Sequence, residues 1–132
     1  MAFVICNQGS LIALEALINK TAPQTIEMKL FENDYTPVQG STEANFTEAT
    51  FTGYAKKTLT GSGWTSTPGD PADVAPGAQT FTSSAGSQNK YVYGFYLVQA
   101  TSGKLIGAER FSEAVHIVNN GDNVVITFDF QS

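Results

Sequence analysis

Apolar positions crowd several short stretches of this chain, and the densest is Tyr91-Val92-Tyr93-Gly94-Phe95-Tyr96-Leu97-Val98. Nearly every residue in it is β-branched or aromatic, and turn-like segments bound it at Ser87–Lys90 and Thr101–Gly103. The pleat of a strand places Tyr91, Tyr93, Phe95 and Leu97 on one face and Val92, Gly94, Tyr96 and Val98 on the other. Neither face is polar. The strand is therefore expected to be covered on both sides, by the opposite layer of a sandwich and by a helix or another subunit. Phe95 and Leu97 are assigned to the core, and Tyr96 and Val98 to a subunit contact. Eight apolar residues fall well short of the ~20 that cross a bilayer, which discards a membrane reading.

The remaining pattern supplies the partners of that strand. Ser10 is a predicted N-cap, and Leu11, Leu14, Leu17 and Ile18 share one face of a helix over residues 10–19, ended by Pro23. This stripe is expected to cover a face or an end of a sheet. Ahead of it, Phe3, Val4 and Ile5 are apolar but cut off by Asn7-Gln8-Gly9, so residues 1–8 are read as an arm that docks on a neighbouring chain. Thr25–Phe31 alternates, with Ile26, Met28 and Leu30 inward. Val38–Thr52 is polar and Thr-rich, with Phe46 and Phe51 as anchors. Tyr54–Leu59 is a short strand, and Thr67–Gly77, which holds three of the five prolines, is an ordered loop. Further strands are expected at Ala78–Ser83, Lys104–Phe111, Ala114–Val118 and Val124–Phe130, the last two joined as a hairpin by Asn119-Asn120-Gly121-Asp122. About eight short strands and one helix make a single all-β domain over residues 1–132, an antiparallel β-sandwich in the jelly-roll arrangement with one short N-terminal helix.

Composition narrows the function. Charged residues make up 14% of the chain, against roughly 25% in soluble domains, and Thr, Ser, Gly and Asn take their place. The net charge of −5, with only seven Lys and Arg, argues against nucleic acid as a partner. A single cysteine, Cys6, excludes an internal disulfide. The N-terminus has no basic region and its apolar run breaks at Asn7, so it is not read as a signal peptide.

The search for chemistry yields little. His116 is the one histidine and lies mid-strand, with no Ser or Cys beside it in sequence for it to activate. Cys6 has no basic neighbour in sequence to lower its pKa. No His and Cys set has zinc spacing. The carboxylate pairs Glu32/Asp34 and Asp70/Asp73 fall in turns, where such residues serve local hydrogen bonding. Trp64, Tyr35 and Tyr54 are the candidates for a sugar-binding aromatic platform. The chain is accordingly expected not to be an enzyme and to need no metal or cofactor.

Several segments stand in a recognisable order and spacing along the chain. They are Leu30-Phe31-Glu32-Asn33-Asp34-Tyr35-Thr36-Pro37, Phe46-Thr47-Glu48-Ala49-Thr50, Gly53-Tyr54-Ala55 and Lys57-Thr58-Leu59-Thr60. Tyr93-Gly94-Phe95-Tyr96-Leu97-Val98, Gly107-Ala108-Glu109-Arg110-Phe111 and Asn119-Asn120-Gly121-Asp122 follow. Their succession, over about residues 11–130, resembles a family of short structural proteins from tailed-bacteriophage virions. The resemblance implies the fold and size of the capsid cement or decoration proteins, which sit as trimers over junctions between major capsid subunits. It implies a non-enzymatic homotrimer on the capsid exterior, with the major capsid protein and itself as partners and neither nucleic acid nor membrane. It carries over no site residues. The interface candidates Phe3, Val4, Ile5, Tyr96 and Val98 rest on the patterning above. The alternative is a tail-fibre or receptor- and carbohydrate-binding β-sandwich module.

Overall fold

The computed structural model describes residues 3–131. The aromatic stretch forms β7 (Lys90–Gln99), the middle strand of a five-stranded sheet. On one side lie β2 (Ile26–Phe31) and then β3 (Lys57–Leu59); on the other lie β8 (Leu105–Ile117) and then β1 (Val4–Ile5). A second layer holds β6 (Gln79–Thr82) paired with β9 (Asn123–Ile126), and a small sheet of β4 (Thr65–Thr67), β5 (Asp73–Ala75) and β10 (Phe130–Gln131). All these pairings are antiparallel. With one short helix, α1 (Asn7–Leu17), the chain is an all-β sandwich. Described sheets of five, three and two strands do not show the two four-stranded layers of a jelly roll.

Both faces of the five-stranded sheet are buried, as β7 predicts, but the second cover was not foreseen. On the first face Met28, Leu30, Phe95 and Leu97 pack with Phe81 of β6, Val124 and Ile126 of β9, and Phe128. On the second, Phe31, Tyr96, Val98, Leu105 and Ala108 meet Phe46, with Tyr35 against them. The Phe46 ring stacks on Tyr96 at 4.7 Å and meets Phe31 edge-on at 4.9 Å, and Tyr35 stands edge-on to Phe46 at 5.2 Å. The cover is thus the chain's own segment after β2, neither a helix nor a sister subunit. Tyr96 is 2% exposed and Val98 1%, which removes both from the expected subunit contact.

The face assignment also changes within β7. Gly94 pairs with Arg110 but Val92 with Val115, so residues 111–114 of β8 bulge opposite Tyr93. Past that bulge the alternation switches sides. Val92 shares the core of Phe95 and Leu97, while Tyr93 packs with Tyr96. Gly94 is needed there, because a Cβ would overlap the Glu109 carbonyl and the Phe31 ring.

The expected N-terminal arm is part of the domain instead. Val4 pairs with Ala108 and Ile5 with Gly107, and the Phe3 ring lies 5.8 Å from Phe95 and 5.6 Å from both Phe128 and Phe130. Gly107 makes this possible, since a Cβ there would meet the Phe3 ring and the Val4 carbonyl. Met1 and Ala2, the first residues of that expected arm, lie outside the described residues. Asn7-Gln8-Gly9 is the first turn of α1 rather than a linker, with Cys6 and not Ser10 in the cap position.

Three further expectations are corrected. Thr67–Gly77 contains β5, held between β4 and β10. Lys104–Phe111 and Ala114–Val118 form one strand, β8. The turn at Asn119–Asp122 exists, with Gly121 at φ 93°, but its flanks do not form a hairpin: β8 pairs with β7, and β9 with β6. Ser83 explains the divergence. Its N–H donates to the Asp122 carbonyl at 2.8 Å and its carbonyl accepts from Gly121 N at 2.9 Å, which draws the turn to the end of β6.

Candidate functional site

The feature without an internal role in the domain is one side of helix α1. Its seating is set by Gly9, whose Cβ, if present, would overlap the Ile106 carbonyl of β8. The Gln8 side chain accepts from Leu105 N at 2.9 Å, and Cys6 N donates to the Ile106 carbonyl at 3.0 Å. At about 100° per residue, a helix held down at Gly9 turns Ile12 and Ala16 toward the sheet as well. Both are half-buried. The opposite side then faces water. Leu11, Leu14, Leu17 and Ile18, expected to cover the sheet, are 52, 61, 81 and 70% exposed. The small side won because it lets the helix axis come closer than leucines would allow.

Next to this ridge lies an apolar groove of about 310 Å³, lined by Ile5, Ile12, Ala13, Ile26, Ile106 and Phe130. Ile5 stands at its rim, the one member of the expected interface set that remains largely exposed. Phe3 and Val4 are half-buried in the domain's own packing. Leucine spacing alone hid this arrangement. The signal that points to it is Gly9, Ala13 and Ala16, small residues at i, i+4 and i+7 that compete with the leucines for the inner face.

The reactive candidates are dispersed. Cys6 is fully buried with Sγ 3.6 Å from the Val38 carbonyl, and burial pushes its thiol pKa up, away from the thiolate that chemistry would need. His116 is exposed, stacked on Tyr91 at 4.2 Å, with Nε2 2.7 Å from the Asn89 side-chain oxygen. The Glu32 carboxylate accepts from Thr50 N at 3.1 Å and Oγ1 at 3.0 Å, while Asp34 pairs with Arg110. Asp73 meets Gln131 and Asp129 rather than Asp70; the Asp73 carboxylate pushes the Asp129 pKa up. Among the described residues no three His, Cys, Asp or Glu side chains are grouped to hold a metal ion.

The three aromatic candidates do not share a surface. Trp64 stacks on Phe130 at 5.7 Å and stands edge-on to Phe128 at 5.9 Å. The Tyr54 hydroxyl donates to Glu48 at 2.8 Å and accepts from Leu30 N at 3.3 Å, and burial, then this carboxylate, push its pKa up. Tyr35 shares a 2.7 Å hydrogen bond with the buried Ser41 hydroxyl. No helix among the described residues is long and apolar enough to cross a membrane. Comparison with protein families finds none that matches the chain, and comparison with curated proteins finds no match either.

Proposed function

We propose that this chain is a non-enzymatic structural protein of a tailed-bacteriophage virion, a capsid cement protein on the particle exterior. It acts as a homotrimer that contacts the major capsid protein across subunit boundaries. By binding the assembled shell and not the separated subunits, it raises the work needed to pull them apart. The observation that carries this reading is the α1 ridge: four large aliphatic side chains held in water on one rigid element, the kind of patch that marks an interaction site. The segments that resemble virion proteins add to it, since Leu30–Pro37, Phe46–Thr50 and Tyr93–Val98 supply Phe31, Tyr35, Phe46, Tyr93, Tyr96 and Val98 to the second core. The alternative, a sugar-binding module, finds no shared platform, since Trp64 stacks on Phe130 and Tyr54 on Phe81.

The test is the copy number of this chain in purified virions, measured by quantitative mass spectrometry. Hundreds of copies per particle are expected. A few dozen or fewer would assign it to the tail, and none would remove it from the virion.

A further inference from the structure

We infer that the α1 ridge and the neighbouring groove are two halves of one contact, and that the groove is filled by the ridge of a second copy of this chain. The inference rests on the assembly reading above and adds the surface and the partner.

Size is the first argument. An engineered core cavity of about 150 Å³ accepts benzene, so a groove of about 310 Å³ has room for roughly two aliphatic side chains. The ridge offers Leu11 and Leu14 one turn apart, with Leu17 and Ile18 beyond them. Four side chains at 52–81% exposure present an apolar surface on the scale of the roughly 300–600 Å² patches that mark interaction sites. A copy that exchanges both parts with one neighbour approaches the roughly 800 Å² per partner of a standard interface, and a single ridge-in-groove contact buries roughly half of that, the size of a weak interface.

Charge is the second. Copies of a chain with net charge −5 repel one another, so they can meet only where charge is sparse. The groove lining has no charged residue, and neither do the four ridge residues. Glu15, the one charged side chain of α1, is turned aside to accept from Thr21 Oγ1 at 2.7 Å. The other exposed apolar residues, Val38, Tyr91 and Val125, lie on separate segments, as single surface apolar residues commonly do. Ridge into groove is a head-to-tail contact, which gives a ring when the rotation between copies closes, as the trimer of the assembly reading requires, and an open filament when it does not. Two copies that exchange both parts make a two-fold dimer instead.

The experiment compares the wild type with Leu14→Glu, which spoils the ridge, and Ala13→Glu, which spoils the groove. Both positions are exposed and glutamate suits a helix, and thermal melts of each variant verify the fold. By sedimentation velocity at roughly 100 µM, above the micromolar dissociation constant of a modest interface, the wild type should associate. Each variant alone should bind itself at least about tenfold more weakly. Mixed in equal amounts, the two should form a one-to-one heterodimer, because the intact ridge of Ala13→Glu meets the intact groove of Leu14→Glu once while the reverse contact stays broken.

A monomeric wild type overturns the inference, as does a Leu14→Glu variant that associates like the wild type. Two dissociated variants that fail to rescue each other show that the groove is not the ridge's seat, and overturn it equally. The virion reading fails separately: an associating wild type with no copies in purified particles overturns that reading alone.

Discussion

Leu17 of helix α1 leaves 81% of its surface in water, whereas Phe46, in a segment dominated by Thr, Glu and Asn, leaves 8%. The two segments differ in what holds them against the sheet. Helix α1 satisfies its backbone internally, so it is free to present any side to β8, and it presents the one that approaches most closely, at Gly9. The segment after β2 forms no regular strand. Its main chain touches β2 at one antiparallel bridge, where Glu32 N donates to the Thr47 carbonyl and Ala49 N to the Leu30 carbonyl, both at 2.9 Å, and side chains pin the rest. Asn33 donates from Nδ2 to the Asn45 carbonyl at 2.9 Å and accepts from Thr47 N at 2.8 Å, and Ser41 Oγ accepts from Val38 N at 2.9 Å. Lys29 adds an ion pair to Glu43 at 2.8 Å. Polar residues fix the path, and two aromatic rings fill the space beneath it. Apolar content measures the capacity to be buried; backbone seating decides which side chains are.

The sharpest test sets one side chain from each region against the other. Phe46→Ala should cost about 3–5 kcal/mol, since it empties the stack on Tyr96 in a buried site. Leu17→Ala should change monomer stability by no more than about 0.5 kcal/mol, as at any exposed position. Urea titrations of both variants give the two numbers directly. Comparable losses would erase the distinction between the regions.

What the sequence disclosed follows the same line. The strands at 26–31, 79–82 and 90–99 were legible because alternation and β-branched density act locally, and the burial of both faces of β7 followed from its own pattern. Phe46 was legible as an anchor in a polar stretch. The cover it belongs to was not, because Asn33, Ser41 and Asn45 signal turns in any context and do not say what the turns enclose. The switch of faces at Tyr93 depends on the bulge of residues 111–114, which involves a strand about twenty residues away. The outward leucines depend on one absent Cβ. These three misses came from contacts distant in sequence that overrode a local pattern.

The helix seating is open to a more direct challenge. In an unconstrained helix Gly→Ala stabilises by up to about 1 kcal/mol. At Gly9 the new methyl meets the Ile106 main chain, which cannot swing away as a side-chain tip would. Gly9→Ala should therefore destabilise by about 1–3 kcal/mol, the usual range for overpacking. Hydrogen exchange should quicken at Leu105 and Cys6, whose amides are bonded across this contact. A stabilised variant would mean that the helix is not held by Gly9, and the comparison with the pinned segment would lose its basis.

The smallest effect belongs to the polar stitching, tested at the turn that delivers β9 to the first face. The Asp122 carboxylate accepts from Asn119 N at 2.7 Å and Val118 N at 2.9 Å, and these two N–H groups hold its pKa below the ordinary aspartate value. A depressed folded-state pKa stabilises the fold above the unfolded value and loses that contribution as pH falls through the folded one. Asp122→Asn keeps an acceptor in place but removes the charge, so it should melt below the wild type at pH 7. The gap should close once acid protonates the wild-type carboxylate. Because the group is exposed, the gap at pH 7 should be smaller than the losses at Phe46 and Gly9. Melting curves of both proteins from pH 7 to pH 2 decide the matter: a gap that persists unchanged in acid would show that the turn is held by its shape rather than by the carboxylate's charge.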